Sequence, residues 1–133
     1  MVKDKQNDIV SIAERMLKAF KHVQCFVFEK DELQSIRNTI RKIGLYKHVR
    51  VRLVDPKYPL IYIVKPNITE CIEECRRKAE EYILTGRVRD ELKKHFRIEY
   101  ISQCRNYCEH EKVKEIIEIL KKFLEGRKSG NIS

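Results

Sequence analysis

Four of the five cysteines in this chain form two pairs of identical spacing, Cys71 with Cys75 and Cys104 with Cys108, and Cys25 is left over. Side chains four apart on a helix share a face, with Cβ atoms about 5–6 Å apart. A disulfide needs Cβ atoms about 3.5–4.5 Å apart, so neither pair is expected to close on itself. Two antiparallel helices carrying the pairs can instead join twice, Cys71 to Cys108 and Cys75 to Cys104. The same four sulfurs can hold one tetrahedral zinc ion or an iron–sulfur cluster, with His110 able to replace one sulfur. As a third option they pack as small hydrophobic thiols. The Cys-x-x-Cys turn usual in zinc sites and in thiol–disulfide enzymes is absent.

The second chemistry the sequence offers is electrostatic. The chain has 133 residues with 29 Lys and Arg against 20 Asp and Glu, for a net charge of +9. Residues 37–57 hold Arg37, Arg41, Lys42, Lys47, Arg50, Arg52 and Lys57 against one acid, Asp55. Most of the excess therefore sits in one short stretch, which is the footprint of a polyanion binder. These residues, with His48, are the expected nucleic-acid contacts.

Periodicity supplies the elements that must position them. Ile9, Ile12, Ala13, Met16, Leu17 and Phe20 give an amphipathic helix over about residues 7–21. Residues 23–28 read as a strand, and Leu33, Ile36, Ile40 and Ile43 as a helix ended by Gly44. Val49, Val51 and Leu53 alternate with His48, Arg50 and Arg52, the pattern of a half-buried strand with a basic outer face. Asp55 to Pro59 supplies a turn, and Leu60–Lys65 the returning strand. Asn67 is a candidate cap for a helix bearing Cys71 and Cys75 and closed by Gly86. A short helix around Val88–Phe96, a last strand at Arg97–Ile101 and a helix through Val113–Leu124 complete the expected order. On one continuous helix, Cys104 and Cys108 would lie opposite the Val113–Leu124 stripe. The helix is thus expected either to break near Glu109–Glu111 or to give the cysteines a partner of their own.

This order predicts an α+β fold with a small antiparallel sheet, the ferredoxin-like split βαβ arrangement with an extra helix at each end. A winged helix, with residues 48–65 as the wing, is the alternative. It needs two helices between its first strand and the wing, and only one is evident. The expected organisation is a single domain over residues 1–126 and a flexible tail at 127–133.

With Val49, Val51, Ile61 and Ile63 turned toward the helices, Arg50, Arg52, Phe26, Phe28 and Tyr62 would be displayed on the open face of the sheet. Rings beside cations suit single-stranded nucleic acid, which stacks its bases and neutralises its phosphates on such a surface. The layout resembles that of RNA-recognition-motif proteins, which expose aromatic residues on the same two strands. Their glycine-rich third-strand signature is missing from Leu60–Lys65. If the terminal helices cover this face instead, Phe26, Phe28 and Tyr62 become core and the arginines contact backbone only. The cysteine spacing in turn resembles that of the twin Cys-x-x-x-Cys hairpins of oxidised mitochondrial intermembrane-space proteins. Here 28 residues separate the pairs, and the likeness is one of spacing.

No catalytic centre emerges from the spacing. Asp55 and Lys65 lack the acid two residues before the lysine that a metal-dependent nuclease core needs, because position 63 is isoleucine. Gly44, Gly86, Gly126 and Gly130 are too scattered to cradle phosphate. The longest apolar run, Leu60–Val64, is too short to span a bilayer, and Met1–Asp8 has no secretory core. The expectation is a cytoplasmic, non-enzymatic nucleic-acid-binding protein needing no cofactor beyond a metal at the cysteines. The alternative is a disulfide-stapled or zinc-binding structural or interaction protein, paired with a second copy or another protein. Sixteen isoleucines and only nine Gln and Asn fit a thermophile, whose intracellular proteins can retain disulfides.

Overall fold

The computed structural model describes residues 5–132, with side chains over residues 8–126. Helix α1 spans Lys5–Val23, strand β1 Phe26–Glu29, and a 3-10 turn at Lys30–Glu32 leads into α2, Leu33–Ile43. Strands β2, Val49–Leu53, and β3, Ile61–Pro66, form a hairpin. Helix α3 spans Thr69–Leu84, and a second 3-10 turn, Asp90–Leu92, precedes α4, Lys93–Ile132. The tail expected at 127–133 lies outside the fully described residues.

The chain divides into two units. The first, here the sheet unit, runs to Asn67 and resumes at Val113; the second, the hairpin unit, is Ile68–Lys112. In the sheet unit the strand order is β1-β3-β2, and both outer strands run antiparallel to β3. β1 and β2 are therefore parallel, with α2 crossing between them and β3 inserted between the two. The fold is α+β as expected. The fourth strand that a ferredoxin-like sheet requires is not formed, because residues 97–101 belong to α4. Between β1 and β2 there is one 3-10 turn and one helix, short of the two helices of a winged helix.

The register fixes which side chains share a face. Phe26 pairs with Val64, Phe28 with Tyr62, Val51 with Val64 and Leu53 with Tyr62. These residues and Val49 look one way, and the core forms on that side. Ile12, Ala13, Met16 and Phe20 of α1, Ile36 and Ile40 of α2, and Val113, Ile116 and Leu120 of α4 bury against Phe26, Phe28, Val49 and Val64. Thr39, the one buried polar residue among those described, donates its hydroxyl to the Ser35 carbonyl at 2.8 Å, so its burial leaves no polar group unpaired. α2 ends where Gly44 takes the left-handed conformation at φ 88°, and the Leu45 N–H reaches back to the Ile40 carbonyl at 2.9 Å. Leu45 is then fully buried behind the turn.

This corrects the expected faces of β1 and β3. Phe26, Phe28 and Tyr62 turn toward the helices, while Val27, Ile61 and Ile63 turn away. The reason lies in areas. When both sides of a strand are apolar, the side holding two phenylalanines removes more surface from water, so that side is covered. On β2 the arginines leave no such choice, and Val49 and Val51 face inward as expected.

Helix α1 is also tied to the start of α2 by charge. Arg15 donates twice to the Glu32 carboxylate, at 2.5 and 3.0 Å. These bonds hold the Glu32 carboxyl below its ordinary range. A lowered folded pKa adds stability that is present above the unfolded value and lost as pH falls through the folded one. The pair is largely open to water, so solvent screening limits it to about 0.2–1 kcal/mol. Glu32→Gln should cost that amount near neutral pH and almost nothing below the carboxylate range, as read from urea unfolding at the two pH values.

Candidate nucleic-acid interface and the paired cysteines

Turning Val27, Ile61 and Ile63 away from the core leaves a second face on the sheet. Arg50 and Arg52 of β2 and Lys65 of β3 stand on it, all exposed. Arg50 lies directly opposite Lys65, and Arg52 opposite Ile63, which pairs on its other side with Val27. The result is an apolar strip, with Val27 53% exposed and the exposed acid Glu29 at its far end opposite Ile61, beside a row of cations. Like charges directly opposed across strands are destabilising, and Arg50 and Lys65 have no acidic partner among the described residues. Elsewhere the guanidinium groups of Arg15, Arg77 and Arg97 are each matched to carboxylates.

The other expected contacts are distributed. Arg37, Arg41 and Lys42 are exposed on α2. That helix packs on the covered side of the sheet, so these three and the Arg50–Arg52 row occupy different surfaces. Lys47 sits in the turn after α2 with its Nζ 5.7 Å from the centre of the Tyr46 ring. Lys57 is in the β2–β3 loop, where its backbone N–H donates to the Asp55 side chain at 3.0 Å. His48 is half-buried and engaged within the unit, its Nδ1 3.5 Å from a Glu115 carboxylate oxygen of α4.

Phe26 and Tyr62 do not form an open stacking platform. Phe26, Phe28 and Tyr62 stack in series on the core side of the sheet, with ring centres 5.9 and 5.7 Å apart, and the Arg15 guanidinium lies 5.3 Å from the Phe26 centroid. Among the described residues of the sheet unit, the accessible rings are Tyr46 and Tyr58, in the turns flanking β2 and 60% and 70% exposed. Sequence reasoning missed these two and Lys65. Their signal was position: each sits at or beyond the end of an alternating segment, where pattern stops assigning faces.

In the hairpin unit α3 and the first half of α4 are joined by two disulfides, Cys71–Cys108 and Cys75–Cys104, with Cα atoms 5.8 and 6.0 Å apart. The ladder makes the two helices antiparallel. It also decides between the two outcomes expected at Cys104 and Cys108. The helix does not break; the cysteines have their own partners, and α4 continues into the sheet unit. His110 is exposed and takes no part. Cys75 and Cys108 are buried, with Ile72, Ile68, Cys71 and Cys104 around them, so the small core here is largely sulfur. Arg97 adds an ion pair, donating to Glu80 of α3 at 2.5 and 3.2 Å and holding that carboxyl below its ordinary range. Beyond it Tyr82, Phe96 and Tyr100 cluster with centres 5.6–6.1 Å apart. Cys25, in the sheet unit, is free and half-buried.

Comparison with protein-family models, curated proteins and solved structures returned no match. No described helix is long and apolar enough to cross a membrane.

The disulfides close segments of 37 and 29 residues, one nested in the other. With either bond in place, the second closes only the small ring 71–75/104–108. On chain entropy, removing one bond should cost about 2–3 kcal/mol and removing both about 6 kcal/mol. Cys71→Ala/Cys108→Ala, Cys75→Ala/Cys104→Ala and the fourfold variant, unfolded in urea, check this: the last bond removed costs more than the first.

Proposed function

We propose that the protein binds the phosphate backbone of nucleic acid through the uncovered sheet face, with Arg50, Arg52 and Lys65 as its main contacts. The observation that carries this reading is the Arg50–Lys65 pair. Two cations are held directly opposite each other on an exposed face, with no acid among the described residues to relieve them, an arrangement that an incoming anion would stabilise. Lys47 and Lys57 extend the positive field at the two ends of β2, and the chain's net charge of +9 favours approach of a polyanion. Arg37, Arg41 and Lys42 on α2 add a weaker, separate attraction. With Phe26 and Tyr62 in the core, binding to backbone replaces base stacking on the strands, and Tyr46 and Tyr58 are the rings left to meet an unpaired base.

A second reading rests on the disulfides. A hairpin stapled twice presents a rigid surface, and the unit then serves as a structural or protein-interaction module. We place the protein in the cytoplasm of a thermophile, a setting in which intracellular disulfides persist.

The two readings separate in a binding assay against single- and double-stranded DNA and RNA over a range of salt. Wild type should bind at low salt, with log K falling linearly in log salt. On duplex DNA each phosphate that a variant no longer neutralises should reduce that slope by about 0.9, so Arg50→Gln/Arg52→Gln should reduce it by about 1.8 if each arginine meets one phosphate. Arg50→Glu/Arg52→Glu should abolish binding, and Arg37→Gln/Arg41→Gln should weaken it less. No binding by wild type under any condition would leave the second reading.

A further inference from the structure

We propose that the hairpin unit, once its disulfides are reduced, is a thiolate site for a single soft divalent metal ion, zinc being the natural candidate. Cys71, Cys75, Cys104 and Cys108 supply its four ligands. The inference concerns a different unit from the nucleic-acid surface and stands apart from that reading.

The first ground is geometric. The sulfurs of Cys71, Cys75 and Cys108 all lie within 4.8 Å of one another, and Cys104 is joined to Cys75. Cys75 and Cys108 are not bonded to each other, yet their sulfurs are 3.6 Å apart. A tetrahedral ion with Zn–S bonds of about 2.3 Å holds neighbouring sulfurs about 3.8 Å apart. That edge of the tetrahedron is therefore already set between the two helices. The bonded sulfurs need only separate to a similar distance, a movement within reach of side-chain rotation. Residues at i and i+4 on one helix face are a known way to place two ligands on one zinc ion. A multi-iron cluster would require the four sulfurs to spread much further.

The second ground is energetic. Apart from sulfur, the core around the cysteines consists of Ile72 and Ile68. A segment as short as Ile68–Lys112 is near the size at which crosslinks or metals replace apolar burial as the source of stability. Reduction removes the crosslinks and leaves Cys75 and Cys108 buried, so a metal is the group that can restore closure. Cys71 and Cys104 are half-buried, which gives reductant and ion a way in.

The chemistry balances with a dithiol as reductant. Each disulfide accepts two electrons and two protons from one dithiol, which closes to its own disulfide, and two cysteine thiols result. Four thiols then release four protons to solvent as their sulfurs take up the divalent ion. Re-oxidation by a disulfide reverses the sequence and expels the metal.

The test uses the full chain carrying Cys25→Ser, reduced with a phosphine, which takes up the oxygen of one water per disulfide and leaves two thiols. Cobalt(II) titration should saturate at one ion per chain, with thiolate charge-transfer absorption that zinc abolishes by displacement. Circular dichroism should show helix lost on reduction and regained with zinc. The oxidised chain should bind neither ion. Cys71→Ser/Cys108→Ser keeps the Cys75–Cys104 bridge and so folds when oxidised. When reduced it should bind cobalt more than about a hundredfold more weakly than the Cys25→Ser parent, since removing two of four ligands exceeds the effect of removing a ligand's supporting partner. Absence of binding by the reduced parent, cobalt bound without charge-transfer absorption, equal binding by the oxidised chain, or equal binding by the double variant would each overturn the proposal.

Discussion

α4 has to serve two cores with one uninterrupted backbone. Over its first half it presents Cys104 and Cys108 to α3, and over its second half Val113, Ile116 and Leu120 to α1 and the sheet. A helix that changes partners midway has no single apolar stripe along its length, because each half buries its own set of residues. The rest of the architecture follows from this. The sheet unit borrows its closing helix from the far end of the chain, which joins segments separated by the whole hairpin unit. The hairpin unit holds α3 to its half of α4 with sulfur at one end and with the Tyr82, Phe96 and Tyr100 cluster and the Arg97–Glu80 pair toward the other.

The same constraint explains which features were legible in the sequence. α1 and α2 each face one core, so their periods named Ile12, Met16, Phe20, Ile36 and Ile40 correctly. β2 alternates valine with arginine, and its faces were equally plain. β1 and β3 carry large apolar residues on both sides, and with only Glu29 and Lys65 at their ends to mark the outer one, a two-residue period says little. Only burial could choose, and it chose the phenylalanines. The Arg97–Ile101 segment misled for a related reason: a short stretch rich in β-branched and aromatic residues reads as a strand until the helix running through it from both sides is seen. The partners of the cysteines were legible because helical spacing forbids closure within each pair, but spacing left crosslink, bound metal and free thiol open.

Electrostatics in the molecule divides along similar lines. In the hairpin unit Arg77 and Arg97 are matched to Glu74, Glu81 and Glu80, and their charges go into holding helices. In the sheet unit only Arg15 is matched in this way, to Glu32, while Arg50, Arg52 and Lys65 stand without an acidic partner among the described residues, on a face that α1, α2 and α4 leave uncovered. The composition figure of +9 conceals this difference between structural and displayed charge. Only the strand register, by placing Lys65 across from Arg50, makes a residue outside the basic stretch part of the same surface.

Because the two disulfides are nested, forming one of them changes the odds for the other. The first must bring together groups far apart along an open chain, whereas the second finds its thiols already side by side on helices held in register. Oxidation of the hairpin is thus cooperative in the manner of a zipper's last tooth. At an intermediate redox poise the population should consist mainly of fully open and fully latched molecules, with the half-latched form scarce. A pair of bonds so arranged responds to its surroundings over a narrower range of potential than either bond would alone.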